Sequence, residues 1–134
     1  MRKFEEKIGV DFNDKSLLKQ AFTHRSYLNE NPSLALEHNE RLEFLGDAVL
    51  EMAVTDHLYH EYPKKTEGEM TALRAALVNS NMLAGVASDL DINKFILLSK
   101  GEAKSAGKAK QYILANALEG LIGAIFLDGG YAAA

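Results

Sequence analysis

Residues 39–50 read NERLEFLGDAVL, and the spacing within this run decides how the whole chain is read. Glu40, Glu43 and Asp47 stand at i, i+3 and i+7, which puts their carboxylates on one face of a helix. Glu51 carries the stripe one turn further. Leu42, Phe44, Leu45, Ala48, Val49 and Leu50 are apolar in nearly every other direction, so most of this helix is expected to be buried. Arg41, the only base in the run, points away from the stripe. Like charges stacked on an exposed helix cost about 0.2–0.5 kcal/mol per pair, and more once desolvated. A divalent cation with oxygen ligands removes that cost. A solvated acidic face accounts for the same residues without a cation, with Asn39 capping the helix and Glu40 favoured in its first turn.

A second run shares the peculiarity. ILANALEGLIGAIFL, residues 113–127, is apolar almost throughout, yet Asn116 and Glu119 share a stripe with Gly120 and Gly123. Glu119 is the only charge in the segment, and a lone carboxylate on an apolar helix is costly to bury unpaired. Each glycine costs about 1 kcal/mol relative to alanine in a helix, which is tolerable where another helix comes close. Gly46 in the first run invites the same inference. Packing the two helices together would converge Glu43, Asp47, Asn116 and Glu119 on one cation. The alternative for Glu119 is a salt bridge to a lysine or arginine elsewhere.

Three further stretches follow in order: THRS at Thr23 to Ser26, EGEMTALRAALVNSNMLA from Glu67 to Ala84, and KGEAKSAGKAKQYILA from Lys100 to Ala115. With NERLEFLGDAVL and ILANALEGLIGAIFLDGG, they make the chain resemble the bacterial ribonuclease III family over essentially its whole length. The resemblance implies an all-α, ribonuclease III-like helical endonuclease domain. It implies a cytoplasmic homodimer that cleaves double-stranded RNA with Mg²⁺, for which Mn²⁺ can substitute, in rRNA and mRNA processing. The implied products carry 5′-phosphate and 3′-hydroxyl ends with short 3′ overhangs; no membrane or organic cofactor is implied. Matched motif by motif, Glu43, Asp47 and Glu119 become metal ligands, with Asp47 and Glu119 catalytic and Asn116 alongside them. Glu40 and Glu67 become supporting acids, and Phe44 packs into the partner subunit. An ordinary core position explains Phe44 equally well.

The chain departs from the family at one point, since aspartate is usual where Asn116 stands. An amide oxygen still ligates Mg²⁺, but the set has one negative charge fewer. Asn116 is either a variant that works or a substitution that traps substrate. It also keeps open a catalytically silent RNA-binding scaffold of the same fold, against which the retained Glu43, Asp47 and Glu119 speak. A di-metal carboxylate oxidase needs Glu-x-x-His on two helices. His24, His38, His57 and His60 are preceded at that spacing by Ala21, Ala35, Val54 and His57, which removes that class.

With 134 residues, 47% of them hydrophobic, the chain suits one domain with a real core. No 18-residue apolar run lacks a charge or polar break, and MRKFEEKIG lacks the apolar stretch of a signal peptide. The absence of cysteine fits a reducing cytosol. A net charge of −4 argues mildly against nucleic acid, but several of the acids belong to the metal candidate. Lys100, Lys104, Lys108 and Lys110, opposed only by Glu102, read as a flexible loop able to follow a phosphate backbone, or as a merely solvated one.

Apolar spacing predicts helices near 3–8, 15–23, 39–61, 67–78, 81–89 and 109–128, with another starting at Tyr131. Asn13 or Asp14 can cap the second, Pro63 closes the third, and Thr66 with Glu69 forms a capping box that also explains Glu67. Residues 1–134 are expected to be a single catalytic domain without the double-stranded-RNA-binding domain that usually follows in the family. It would be either a domain cut from a longer protein or a natural short form.

Overall fold

The two acidic runs lie on the two longest helices, and the rest of the chain is arranged around their crossing. A computed structural model describes residues 1–134. The helices are α1 (Arg2–Ile8), α2 (Lys15–Ala21), α3 (Arg25–Glu30), α4 (Glu40–Glu61), α5 (Glu67–Val78), α6 (Ser80–Asp89), α7 (Lys100–Ala103) and α8 (Gly107–Gly129), with a 3₁₀ turn at Ile92–Lys94. There is no sheet; a single parallel bridge joins Thr23 to Leu97.

Local chemistry sets many of the boundaries. The Asp14 side chain accepts the Ser16 N–H at 3.0 Å and starts α2. Thr66 and Glu69 form the expected capping box at the start of α5. Helix α4 ends at Glu61, two residues before Pro63. Asp128, near the end of α8, accepts the backbone N–H groups of both Asn13 and Asp14 at 2.9 Å, tying the entry of α2 to the far end of the chain.

Helix α8 is the axis of the core. Ile113, Leu114, Ala115, Ala117, Leu118, Leu121, Ala124 and Ile125 are all buried, and α2, α4 and α6 pack around them. Its length and mean hydropathy of 1.3 would suffice to cross a membrane, but 56% of that window is buried inside the protein. Phe4, Phe12, Leu18, Phe22, Leu42, Leu83 and Ile92 complete one continuous apolar cluster.

At the α4–α8 crossing the backbones touch. A Cβ on Gly46 would stand 1.7 Å from the Glu119 carbonyl oxygen, and one on Gly123 would stand 2.3 Å from that of Leu42. Asn39 is buried at this junction, but it does not cap α4 with its side chain. Its Nδ2 donates instead to the Ala21 carbonyl at 3.0 Å, and its backbone N–H donates to the Thr23 carbonyl at 2.9 Å. That corrects the capping role expected for it.

Other expectations also need correction. Helix α4 is not mostly buried: only Leu42, Gly46, Val49 and Leu58 are, because its neighbours cover one side. Helices α3 and α7 and the 3₁₀ turn are too short to show apolar periodicity. Residues 131–133 form a turn closed by the Ala134 N–H on the Gly130 carbonyl.

The crossing predicts opposite outcomes for two helical glycines. Gly46→Ala is expected to lose about 3 kcal/mol or more, because overpacking here meets backbone that cannot yield. Gly68→Ala, in open space on α5, is expected to gain about 0.5–1 kcal/mol from helix propensity. Urea melts of the two variants beside the parent check both signs.

Candidate active site

The glycine contact determines which carboxylates meet. Gly46 rests on the backbone of Glu119, so the next residue on α4, Asp47, reaches the Glu119 side chain. Burial pushes the Glu119 carboxyl up to about 8, helped by a hydrogen bond with Asp47 and by the charges of Asp47 and Glu43. Glu43 is also raised, first by burial and then by Glu40 and Asp47 on the same stripe. No lysine, arginine or histidine forms an ion pair with Glu43, Asp47 or Glu119, which removes the salt-bridge alternative for Glu119.

No three His, Asp or Glu side chains are gathered tightly enough to form a ready-made metal cage. The neighbouring Asp47 instead makes the Glu119 carboxyl harder to ionise. The donor set is nonetheless right for a hard divalent cation: three carboxylates on two rigid helices, with no neutralising base. Asn116 is half-buried one turn before Glu119 on α8, which puts the two on the same face of the helix.

The remaining predicted residues divide. Glu40 lies at the head of the stripe, beside Glu43, and pairs with Arg25 at 3.3 Å. Glu67 is not brought to the other acids of its own chain. It lines a groove of about 240 Å³ with Thr55, Leu58, Tyr59 and Arg74, and Thr55 is two turns of α4, about 12 Å, beyond Asp47. Phe44 is 84% exposed, which excludes the core reading, and it borders a surface groove of about 630 Å³ with Gln20, His38, Leu45 and Leu127.

The four lysines do not form a flexible loop. Lys100 opens α7, Lys104 ends it, and Lys108 and Lys110 belong to the start of α8. Lys100, Lys104 and Lys108 are exposed, whereas Lys110 turns toward α6 and lines a shallow groove with Asn81, Ser88 and Gln111. Ala106 gives α8 no side-chain cap, so its first N–H groups face outward beside Lys108.

Sequence reasoning also missed the work done by THRS. Thr23 is buried, and its hydroxyl donates to the Lys19 carbonyl at 2.7 Å. His24 caps α3 by accepting the Ser26 N–H at 3.1 Å, and burial pulls its imidazole below the ordinary histidine value. The signal available was a Thr-His-x-Ser run with too many short polar side chains for a helix interior. A cavity of about 740 Å³ lies among Met1, Glu5, Lys15, Phe22 and Phe95, and none of the predicted site residues lines it.

The pattern of the ribonuclease-III-like family matches residues 14–134. Ribonuclease 3 of Streptococcus pneumoniae (strain P1031) is 52% identical over 120 residues, 90% of this chain and 52% of that protein. Ribonuclease 3 of Oceanobacillus iheyensis is 50% identical over 131 residues, 98% of this chain and 58% of that protein. The chain thus spans about half the length of the curated relatives it matches. Among solved structures, a nuclease domain of ribonuclease III from Campylobacter jejuni, described for flexibility in a region involved in dimer formation, superposes with a TM-score of 0.87 at 45% identity. That match covers 97% of this chain and 87% of the other. Dicer from Pichia stipitis matches at a TM-score of 0.64 and 29% identity, over 87% of this chain and 47% of its own.

The raised Glu119 predicts an unusual pH profile for the metal-free protein. Its folded value of about 8 lies above the ordinary 4.5, so its contribution to stability is fully present below pH 4.5 and is lost as pH rises through 8. Thermal melts in chelator from pH 5 to 8.5 should therefore show stability falling with pH. Glu119→Gln should flatten that slope. An equal slope in the variant would mean that Glu119 is not strained against Asp47.

Proposed function

The chain belongs to the ribonuclease-III-like family, and on that premise we propose that it is the nuclease domain of a Mg²⁺-dependent endoribonuclease that cleaves double-stranded RNA. The observation that carries this reading is the Asp47–Glu119 pair: two carboxylates driven together by a glycine-on-backbone contact, with no base to neutralise them. Stability alone gives no reason for such a pair. Mn²⁺ would substitute for Mg²⁺, since both accept all-oxygen sites.

The residues divide the work as follows. Glu43, Asp47 and Glu119 would hold the cation, with the Asn116 amide oxygen beside them. A divalent cation held there supplies positive charge against the phosphate and makes water a better nucleophile at neutral pH. Glu119, raised to about 8, must lose its proton before it can ligate, so cation uptake at neutral pH would release a proton. Glu40, held by Arg25, keeps negative charge at the head of the stripe. No nucleophilic side chain is called for, in a chain without cysteine. Lys100, Lys104 and Lys108, with the outward N–H groups of α8, offer phosphate contacts that read no sequence.

The large exposed area of Phe44 supports a homodimer in which each subunit cuts one strand. The products of this reading are 5′-phosphate and 3′-hydroxyl ends with short 3′ overhangs. The setting is rRNA and mRNA processing in the cytoplasm.

Two experiments test it. Glu43→Gln, Asp47→Asn and Glu119→Gln should each abolish cleavage of duplex RNA in Mg²⁺ while the protein stays folded; normal turnover in Glu119→Gln would sink this site. Replacing Lys104 and Lys108 by alanine should weaken all duplexes alike and reduce the slope of log affinity against log salt by about one unit per lost contact.

Restoring aspartate at position 116 decides between a working variant and a silent scaffold. Asn116→Asp should melt earlier than the parent in chelator, because it adds like charge to the cluster. It should gain more from added Mg²⁺ and cut at least as fast. A parent that never cuts beside a variant that does would establish the parent as silent. Identical Mg²⁺ responses in both melts would show that position 116 does not touch the cation.

A further inference from the structure

Apart from Arg25, which holds Glu40, THRS plays no part in the chemistry proposed above, yet residues 21–26 are bonded to both functional halves of the protein. Toward the carboxylates, the Asn39 N–H donates to the Thr23 carbonyl at 2.9 Å and Asn39 Nδ2 to the Ala21 carbonyl at 3.0 Å. Arg25 pairs with Glu40 at 3.3 Å. Toward the lysines, the Leu97 N–H donates to the Phe22 carbonyl at 2.7 Å and the His24 N–H to the Leu97 carbonyl at 3.0 Å. The Ser99 N–H then donates to Ser26 Oγ at 3.0 Å, and the Lys100 N–H to Glu30 Oε2 at 3.0 Å.

The Ser26 hydroxyl is held in one orientation. His24 Nδ1 lies 3.1 Å from the Ser26 N–H, which can only donate, so this ring nitrogen accepts. It also lies 2.7 Å from Ser26 Oγ, so the hydroxyl gives its proton to Nδ1 and keeps its lone pairs for Ser99. What Ser26 holds has little else to hold it. Helix α7 has four residues and buries none of them, and a helix so short has no stability of its own. Its position follows from the bonds at Leu97, Ser99 and Lys100.

We propose that Ser26 is a positioning residue for RNA cleavage: together with its neighbours in residues 21–26, it fixes the interval between the phosphates gripped by Lys100 and Lys104 of α7 and the phosphodiester presented to the carboxylates. The proposal rests on the nuclease reading. Neither half needs Ser26 to exist, since the carboxylates stand on α4 and α8 and the lysines are surface groups. What depends on Ser26 is the register of Lys100 and Lys104, since Lys108 shares α8 with Glu119.

The test uses the protein as it stands, a short duplex RNA with mapped cut sites, and three variants. Ser26→Ala removes the acceptor for Ser99, Ser26→Thr keeps the hydroxyl, and Glu30→Ala removes the exposed second tie. Misregister predicts that Ser26→Ala loses about ten- to a hundredfold in kcat, as a displacement near 1 Å does. KM should stay within about twofold. Cuts should spread to neighbouring phosphodiesters, Mn²⁺ binding by paramagnetic resonance should match the parent, and Ser26→Thr should restore sharp cutting. Glu30→Ala should spread the cuts without altering Mn²⁺ binding, which decides the matter if Ser26→Ala does not fold.

Parental cut sites and kcat in Ser26→Ala, or sharp cuts in Glu30→Ala when the serine variant is unfolded, would overturn the proposal. So would a loss confined to KM, or lost Mn²⁺ binding in a folded Ser26→Ala. A parent that cuts no duplex RNA defeats the nuclease reading instead. Amide exchange then judges the brace: faster exchange across residues 97–104 in Ser26→Ala supports it, and unchanged exchange there overturns it.

Discussion

The contact of α4 with α8 at Gly46 and Gly123 is the constraint from which the other features follow. Two helices approach this closely only where neither has a side chain in the way. At each of these glycines the missing Cβ would collide with a carbonyl of the opposite helix. Spacing the helices by a normal side chain would separate Asp47 from Glu119. It would also disturb Asn39, whose side chain lies over Gly120 and reaches the end of α2. The crossing therefore sets the core, the placement of α2 and the meeting of the carboxylates at once.

Packing and electrostatics pull against each other at this crossing. The apolar faces around α8 favour the closest approach, and that approach forces Glu119 against Asp47 in a half-buried place. Burial first, and then the charges of Asp47 and Glu43, hold the Glu119 carboxyl up, so a proton there would relieve the repulsion. A cation relieves it without the proton, so the two compete for the same carboxylates. Elsewhere the protein handles charge differently: the buried Glu5 accepts both the Phe12 N–H and the Lys15 ammonium. That contrast marks the Asp47–Glu119 pair as the place where charge is left uncompensated.

The features legible in the sequence were those with a local signature. The acidic stripe, the glycines in apolar runs, the Asp14 cap and the Thr66–Glu69 box all act within a few residues, and the long helices follow from them. Lys100 to Lys110 misled because glycine and serine among lysines suggest a loop, whereas Ser99 caps α7 and Gly107 opens α8. Helix α3 was invisible because its six residues bury nothing. The outward turn of Phe44 was undecidable, since apolar character does not say whether its partner is this chain or another. The distance of Glu67 from the other acids, and the Arg25–Glu40 pair, are tertiary facts with no spacing to announce them.

Helix α8 is both the axis of the core and the last of the helices in chain order. A ribosome adds about 5–20 residues each second, so α2, α4 and α6 are made well before the surface they pack on. During that interval Leu18, Phe22, Leu42 and Leu83 have no α8 to cover them. These helices stay half-assembled until α8 leaves the exit tunnel, and the bonds from Asp128 to residues 13 and 14 can form only then. Closure of this core accordingly waits for α8. A pause or a premature stop during translation of α8 would release a chain suited to chaperones and proteases rather than to RNA.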